Sequence, residues 1–562
     1  MPWKAVVPIL PLFCLTFACQ SVRAGDNAGN RLDYLSRSDP YYVSASFPRL
    51  TTPQWVGEAG VEAVVVLAID DMRDPEKYEA YLRPILNRLK RIDGRAPVSI
   101  MTNSVKHDDP RLAQWLDEGL SIEIHTVDHP CPLLQNDDFA RARETYHGCV
   151  DLMNSIPRNT PVAFRMPCCD SLNTVSPRFF AEIFNQTTPG GRFLEIDSSV
   201  FNVFTARDPS IPRDMLFDAD GKPKFEKYAP AERSFGNTVG NYAYPYVINR
   251  LCWELPCVAP SDWSAQNYRK QTCDPETVRD WQTALDVTVL KQGVMNLVFH
   301  PHGWIRNDQV VELIDYAVAK HGGKVKFLTF REALQRLNAN LLAGTPLRRP
   351  DGGDNGVRLL DVNNDGLLDV LTRGGDILTR LCSPCAGAWV VVPAYRAPDD
   401  WSSIAFGIFE KEGRAAFLSP NDPPGIVAFT GGTWRLQEQM PPPPPIAGRD
   451  ERVVGWLARD VDGDGVCEVL IQHGDSTGVY GWSNQDQHWK ELPFRLPDGT
   501  RLWEPAPAGK EGGRRHDAGL RFVDLDDDGR DDVVFSDGRR YSVHLFDSTA
   551  AGWSRKLVAG RR

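Results

Sequence analysis

After its first two dozen residues, the sequence has no apolar run that approaches the roughly 20 residues needed to cross a bilayer. It also has no excess of basic residues, because 63 lysines and arginines stand against 74 aspartates and glutamates, for a formal net charge of -11. Nucleic-acid binding requires a basic face that neutralises phosphates, so this balance argues against a nucleic-acid partner. Neutral glycans and bound cations remain compatible with it.

The N-terminus is typical of a signal peptide. Lys4 is followed by an apolar stretch over residues 5–19, and Val22 and Ala24 stand where small residues precede a signal-peptidase cut. We expect cleavage after Ala24, an N-terminal extension over residues 25–59, and a protein that is secreted, periplasmic or at the cell surface. A lipoprotein anchor at Cys19 ranks second, because the three residues before it fit a lipobox poorly.

Ten of the 12 cysteines follow residue 24, and in an exported chain some of them are expected to pair. Cys252 with Cys257 and Cys382 with Cys385 are the candidate pairs by proximity. The CSPC stretch at 382–385 is alternatively a redox or zinc motif, although no βαβ pattern surrounds it and no second CxxC follows.

From about residue 60 to 340, apolar runs alternate with helical patterns, which predicts βα units around a mostly parallel sheet or barrel. In barrels, catalytic groups cluster at the carboxyl ends of the strands, where the loops share one mouth. Five predicted strands end in polar residues or carry one: Asp70 and Asp71, His125, Arg165, Asp197, and His300 with His302.

His125 and His129 are four residues apart, a spacing that places two zinc ligands on one helix face in HExxH proteins. Here Thr126 follows the first histidine and Pro130 ends the run, which argues against a helical zinc-protease site. The preceding LSIEI alternates as strands do, which puts the pair where a strand enters a turn. Alone, the pair is either a metal site or two unrelated polar residues.

Taken in order, Asp70-Asp71, His125-x-x-x-His129, Arg165-x-Pro167 and Leu297-x-x-His300 resemble the successive motifs of the polysaccharide deacetylase family, the family 4 carbohydrate esterases with a NodB-type domain. The resemblance covers roughly residues 60–342. It implies an α/β fold, a distorted (β/α) barrel often with seven strands, and metal-dependent removal of acetyl groups from N- or O-acetylated polysaccharide.

The resemblance also implies roles for individual residues. Asp71, His125 and His129 would hold a divalent metal, for which zinc suits one carboxylate and two imidazoles best and cobalt or nickel are alternatives. Asp70 would be the general base that takes a proton from metal-activated water, and His300 would be the general acid. Arg165 would orient Asp70. Pro167 and Cys168 would contact the substrate, and the Cys168 backbone N–H would bind the oxyanion.

The sequence departs from the family pattern in three places. Met72 replaces the glycine that usually follows the paired aspartates, and Cys168-Cys169 replace an aromatic and a small residue. The fourth motif, which ends in Asp-Trp and walls the acetyl pocket, has only partial copies at 197–199 and 262–263, of which Trp263 is favoured as a substrate contact.

Two further features near these motifs have open interpretations. His302 is either a second wall residue or a surface histidine, with the latter favoured. The aromatic-rich insertion over about 205–285 either covers the mouth and binds sugar rings or is an ordinary packed excursion.

Other chemistries fit less well. A cysteine nucleophile at Cys168 or Cys169 would need its own base. Adjacent Asp70 and Asp71 would point to different sides of a strand rather than flank one glycosidic bond. The remaining alternatives are a hydrolase of other C–N amide bonds on the same barrel and a surface glycan- or protein-binding protein that has lost catalysis.

After residue 345 three segments share one spacing of oxygen-bearing side chains around a glycine, a pattern that can wrap calcium. An EF-hand would have glutamate at position 12, which none of them has, and their flanks are β-type, so we expect calcium loops within hairpins. The predicted ligands are Asp361, Asn363, Asp365 and Asp369; Asp460, Asp462, Asp464 and Glu468; and Asp524, Asp526, Asp528 and Asp532.

The region from about 350 to 562 resembles FG-GAP or VCBS repeats, the blade units of integrin-type β-propellers. The stretch at 414–434 looks like a fourth copy whose loop has lost its ligands. Four short blades imply a small or incomplete all-β propeller, with the proline run at 441–445 as a stiff spacer. Its role is either a calcium-stabilised scaffold or a glycan- or protein-binding module.

Overall fold

The computed structural model describes residues 47–169, 179–229, 237–383, 388–396, 404–410, 414–419, 424–448, 453–504, 516–526, 528–537 and 539–561. The predicted signal peptide, most of the predicted N-terminal extension and Cys385 lie outside these residues. Within them, no helix is both long enough and apolar enough to cross a membrane.

The first two thirds of the chain carry most of the helices and one large sheet. The helices are α1 (Thr52–Trp55), α2 (Pro75–Asp93), α3 (Pro110–Glu118), α4 (Phe139–Ser155), α5 (Arg213–Leu216), α6 (Asp262–Arg269), α7 (Pro275–Lys291), α8 (Asn307–His321), α9 (Phe330–Arg336) and, further on, α10 (Pro444–Ala447). The strands are β1 (Ala63–Met72), β2 (Val98–Thr102), β3 (Ser121–Ile124), β4 (Ala163–Phe164), β5 (Ile196–Asp197), β6 (Val200–Val203), β7 (Asn237–Gly240), β8 (Tyr246–Ile248), β9 (Cys252–Glu254), β10 (Cys257–Val258), β11 (Val294–Phe299) and β12 (Val325–Phe327).

The large sheet has the strand order β7-β6-β10-β11-β1-β2-β3-β4-β5-β9-β8, and β12 pairs with β1. Every pairing is parallel except that of β8 with β9. Only two residues separate β5 from β6, and two separate β9 from β10, although each pair lies at distant places in this order. The sheet therefore curves back toward itself, in the manner of an incomplete form of the expected barrel.

Local sequence explains why β1 and α2 form as predicted. Nine of the ten residues of β1 are buried and most of them are β-branched or small, which suits a strand covered on both faces. Asp74 then caps α2, its carboxylate accepting the backbone N–H groups of Glu76 and Lys77 at 3.1 and 3.2 Å. The helix ends at Gly94, whose φ of 82° favours glycine. Its buried face consists of apolar residues at helical spacing: Tyr78, Leu82, Ile85, Leu86 and Leu89.

In the last third of the chain, the residues that the structure describes form small antiparallel sheets. Four of them have four strands each, paired in chain order: β13 (Val357–Leu360), β14 (Asp369–Arg373), β15 (Asp376–Ser383) and β16 (Ala388–Arg396); β17 (Ala405–Gly407), β18 (Ala416–Ser419), β19 (Gly425–Thr430) and β20 (Thr433–Leu436); β21 (Val453–Arg459), β22 (Glu468–His473), β23 (Ser476–Ser483) and β24 (His488–Arg495); β27 (Leu520–Val523), β28 (Asp532–Ser536), β29 (Arg540–Leu545) and β30 (Arg555–Arg561). A two-stranded sheet, β25 (Trp503–Glu504) with β26 (His516–Asp517), lies between the last two.

Successive four-stranded sheets contact one another through the connections between their first two strands. The Ala415 backbone N–H donates to the Val362 carbonyl at 3.4 Å, and the Cys467 N–H donates to the Ile408 carbonyl at 2.6 Å. The Asp531 N–H donates to Val461 at 3.3 Å, so the four connections form one series.

Two expectations for this region need correction. The sheet that contains residues 414–434, the stretch expected to resemble a fourth copy, begins earlier, at β17, and residues 408–415 connect its first two strands. The proline run is not a uniform extended spacer, because its last two prolines, 444 and 445, open the one-turn helix α10. Proline fits a first helical turn, where its missing N–H has no helical partner to lose.

The expected pairing of Cys252 with Cys257 is wrong. Both side chains are buried thiols, and the Cys257 thiol donates instead to the Ser198 carbonyl at 3.3 Å. The two cysteines lie in successive strands, β9 and β10, that continue in one direction, so nearness in sequence does not bring their side chains together. The structure instead joins Cys131 to Cys168, which are 37 residues apart.

Candidate active site

The carboxyl ends of β1 and β3 bring three of the predicted metal ligands together. Asp71 lies at the end of β1 with a φ of 69°, which turns its carboxylate toward the loop that follows β3. In that loop, the Asn103 amide donates to the carbonyls of His125 and Thr126 at 2.6 and 2.9 Å. His129, also at positive φ, brings its ring beside that of His125.

The donor atoms of this cluster are arranged as they would be around a cation. Asp71 Oδ1 lies 2.8 Å from His129 Nε2 and 3.2 Å from His125 Nε2. It is buried and, among the described residues, has no hydrogen bond. His125 Nδ1 faces the Arg165 carbonyl at 2.8 Å, an acceptor, so Nδ1 carries the proton. In the neutral ring the Nε2 lone pair therefore points at a carboxylate oxygen, and a cation between the two atoms relieves that repulsion.

Asp70 occupies the other side of β1 in a buried ion pair. Arg165 Nη1 donates to Asp70 Oδ1 at 2.7 Å, and both side chains are almost completely buried. The other guanidinium nitrogens donate to the Ser198 carbonyl at 2.9 Å, to Ser198 Oγ at 2.8 Å and to Asn296 Oδ1 at 3.0 Å. The arginine is thus fixed by partners from three elements, and its charge holds Asp70 in one orientation.

His300, directly after β11, faces the cluster from the opposite side. Its Nε2 lies 3.9 Å from Asp71 Oδ2, while its Nδ1 lies 2.8 Å from Asp262 Oδ1. The backbone N–H of His300 donates to the second Asp262 oxygen at 2.8 Å. Burial lowers the pKa of His300, but the Asp262 carboxylate outweighs this and raises the pKa to about 9. The imidazole is therefore held in the form that can donate a proton.

Two residues near this centre have contacts that the sequence pattern does not indicate. Asp262 belongs to a partial Asp-Trp motif, and nothing beyond that dipeptide signals its role as the partner of His300. His302 is exposed, as favoured from the sequence, and its Nε2 also lies 2.9 Å from Asp71 Oδ2. Its spacing of two from His300 places both rings on the same loop, where they stack with centroids 5.5 Å apart.

The predicted substrate contacts lie around this centre at different depths. Pro167 is buried, and Cys168 follows it at a φ of 61° in a short 3-10 turn. The disulfide from Cys168 to Cys131 ties that turn to the loop that carries His129. Trp263, next to Asp262 at the start of α6, is 38% exposed.

Asp197 belongs to the interior of the curved sheet and not to its rim. The side chain is fully buried and accepts the Ser199 hydroxyl at 2.8 Å. Its partner across the β5–β9 pairing is Glu254, which is also fully buried. Burial raises the pKa of both carboxyl groups. The pair supports the chain segment that carries Ser198, the partner of Arg165.

In the last third of the chain, the three acidic loops share one backbone arrangement. Each loop lies between the first two strands of its sheet, and its glycine has positive φ. The first aspartate of each loop accepts the N–H of that glycine, at 3.0 Å for Asp361, 2.9 Å for Asp460 and 2.8 Å for Asp524. The last acidic residue accepts the N–H that follows the first aspartate, at 2.9 Å for Asp369, 3.1 Å for Glu468 and 2.9 Å for Asp532.

Two of these loops also gather carboxylates closely enough to share a cation. The groups are Asp460, Asp462 and Asp464, and Asp524, Asp526 and Asp532. Asp528 is not part of this group, and its carboxylate accepts a hydrogen bond from Arg530 Nε at 2.9 Å. In the first loop, Asn363 donates to Asp365 at 3.1 Å. Burial, with the neighbouring carboxylates Asp462 and Asp464, raises the pKa of Asp460 to about 7.

Residues 58–178 match the family model described as Polysaccharide deacetylase. The match spans 121 of the 562 residues and includes Asp70, Asp71, His125, His129 and Arg165. It supports an enzyme that acts on acetylated polysaccharide. It ends before Asp262, His300 and the acidic loops. A comparison with curated proteins found no match.

Solved structures give weaker likenesses. A Mycobacterium smegmatis protein provisionally described as a polysaccharide deacetylase is 16% identical, with 53% of this chain and 97% of that chain covered and a TM-score of 0.33. The catalytic domain of a peptidoglycan N-acetylglucosamine deacetylase from Eubacterium rectale is 13% identical over 49% and 91%, with a TM-score of 0.27. An Agrocybe aegerita lectin specific for non-reducing terminal N-acetylglucosamine is 16% identical over 37% and 53%, with a TM-score of 0.26. Likenesses at this level do not establish a shared fold.

Proposed function

We propose that the protein is an exported, metal-dependent hydrolase that removes acetyl groups from N- or O-acetylated polysaccharide. One observation carries the proposal: His125 Nε2 and His129 Nε2 both face the same buried oxygen of Asp71, Oδ1, at 3.2 and 2.8 Å. The oxygen has no hydrogen bond among the described residues, and a divalent cation would supply the missing partner.

Each residue around this centre has a separate role in the proposed hydrolysis. A zinc ion held by Asp71, His125 and His129 would polarise the acetyl carbonyl and lower the pKa of water toward neutrality. Asp70, oriented by Arg165 at 2.7 Å, takes the proton of the attacking water. His300 Nε2, protonated through its contact with Asp262, donates a proton to the departing amine or alkoxide. The Cys168 backbone N–H stabilises the oxyanion.

Metal removal is the direct test of this function. The protein without its signal peptide, stripped of metal and then restored with zinc, is expected to release acetate from at least one of a panel of acetylated glycans: chitin oligomers, peptidoglycan, acetylated xylan and an acetylated exopolysaccharide. Acetate is measured enzymatically, and stripping should lower the rate by at least about 100-fold because both water activation and carbonyl polarisation are lost. Stoichiometric zinc binding without acetate release from any glycan would instead favour hydrolysis of another amide.

We also propose that residues 350–562 form a calcium-binding repeat module beside the barrel of residues 60–342. Two observations support repeats arranged side by side around one axis. In all three acidic loops the first aspartate accepts the glycine N–H in the same way, and backbone hydrogen bonds link the strand connections of successive sheets. Calcium would neutralise carboxylates that lie close together in two of the loops. Such a module would serve as a scaffold for the enzyme or as its glycan- or protein-binding part.

Calcium is therefore expected to stabilise this module. At calcium concentrations about 100 times Kd, linkage predicts a gain of about 2.7 kcal/mol per site, read as a rise in the urea midpoint of hydrogen exchange in β21 and β22. Asp460→Asn should remove this gain at its own loop. Asp486→Asn, in the same sheet but paired with Lys490, is the matched control and should keep it. An equal response of both variants would contradict a site at 460–468.

A further inference from the structure

His302 lies in the loop after β11, against the edge of the metal centre that faces away from His125 and His129. Its Nε2 is 2.9 Å from Asp71 Oδ2, the carboxylate oxygen that the other two imidazoles do not approach. The two oxygens of Asp71 thus have separate partners: Oδ1 faces the predicted metal ligands, and Oδ2 faces His302.

The position of the His302 ring is fixed by its neighbours. It stacks on the ring of His300 at a centroid distance of 5.5 Å and an interplanar angle of 24°. Trp304 packs edge-on against both rings, at 4.9 Å from His300 and 5.0 Å from His302. Gly303, at a φ of 83°, permits the turn that returns Trp304 to these rings.

Lys77, in the first turn of α2, sets the tautomer of His302. Its ammonium group lies 3.4 Å from His302 Nδ1 and can only donate, so Nδ1 accepts. Nε2 then carries the hydrogen and donates it to Asp71 Oδ2. The result is a directed chain of hydrogen bonds from Lys77 through His302 to Asp71.

We propose that His302, kept in its Nε2–H form by Lys77, is a positioning residue that fixes the Asp71 carboxylate so that Oδ1 faces the metal. The inference rests on the proposed metal centre. A carboxylate free to rotate would divide its time between orientations, and a hydrogen bond to its outer oxygen removes that freedom before the metal arrives. Partners of this kind typically contribute 10- to 100-fold to metal affinity.

The test measures zinc affinity and not acetate release. The full chain is titrated with zinc against a chromophoric chelator, with excess calcium present to occupy the acidic loops, and bound zinc is counted by atomic absorption. His302→Phe keeps an aromatic ring against His300 and Trp304 but cannot donate, so it is expected to weaken zinc binding about 10- to 100-fold while one zinc still binds at saturation. His302→Gln, whose amide can donate to Oδ2, should recover part of the loss.

Lys77→Met retains the aliphatic stem of the side chain and removes the ammonium donor, so zinc affinity should fall by a few-fold in the same direction. Lys222→Met, at an exposed lysine paired with Asp220, is the matched control and should bind zinc as the wild type does. An affinity of His302→Phe within about twofold of wild type would overturn the proposal. So would complete loss of the site, as expected for His129→Ala, because His302 would then be a direct ligand.

This design separates the inference from the proposed function. If zinc affinities follow the expected order while no glycan releases acetate, only the proposed reaction fails. If acetate is released in a zinc-dependent manner while His302→Phe binds zinc normally, only the positioning role fails.

Discussion

Asp70→Asn is expected to lower kcat for acetate release by about 10²- to 10⁴-fold, the range over which a positioned general base accelerates proton transfer. The amide oxygen of asparagine can still accept the Arg165 Nη1–H now at 2.7 Å, so the orientation of the side chain is preserved. What is lost is the lone pair that takes the proton from water. Zinc affinity should stay within a few-fold of wild type, because Asp70 is not among the grouped donor atoms.

Two further variants show whether the loss of activity is specific to the general base. Asp117→Asn changes an aspartate of α3 that pairs with Arg158 at the surface, and it should keep full activity. His129→Ala should lose both zinc and activity, which separates the base from the ligands. Activity of Asp70→Asn within about threefold of wild type would contradict the assignment of the base, whatever the metal content.

The elements around the site could be predicted from sequence where a local pattern determined them. The start and the buried face of α2 follow from local signals, because Asp74, Pro75 and the apolar period all act within a few residues. The strand that delivers His125 ends where the alternation ends. The rule that carboxyl ends of parallel strands meet at one edge predicted that polar residues would cluster there, and the family resemblance implied the particular set Asp71, His125 and His129, whose donor atoms lie together.

What the sequence could not supply depends on contacts between distant elements. Asp262 faces His300 across 38 residues, and the Cys131–Cys168 disulfide links two loops that only the folded sheet brings together. Cys252 and Cys257 were misjudged because proximity in sequence says nothing about side-chain direction in successive strands. The contacts of His302 also depend on the fold, since its partners Asp71 and Lys77 lie on β1 and α2.

The acidic loops show the same division in the last third of the chain. The spacing of the acidic residues around a glycine predicted the turn, and the flanking residues predicted strands; both signals are local. The involvement of Asp528 with Arg530 was not predictable from the repeat pattern, because that pattern treats every acidic position as equivalent.

Arg165→Met is expected to have the largest effect on stability, because it leaves Asp70 as an uncompensated charge in a fully buried site. Breaking a buried pair by removal of one partner costs about 3–5 kcal/mol. Here the loss extends further, since Ser198 and Asn296 also lose charge-assisted donors at 2.8–3.0 Å. The cost is measured as the free energy of opening in β1 and β4, from native-state amide hydrogen exchange over a urea series.

The double variant Arg165→Met/Asp70→Asn completes the cycle and tests the cause. If the cost arises from the orphaned carboxylate, the added Asp70→Asn change should restore at least about 1 kcal/mol, although it removes a further charged group. If the cost arises from lost packing around the arginine, the second change should restore nothing. Restoration would mean that the base is held ready for catalysis by a buried charge whose removal the curved sheet cannot tolerate, so that activity and stability depend on the same guanidinium.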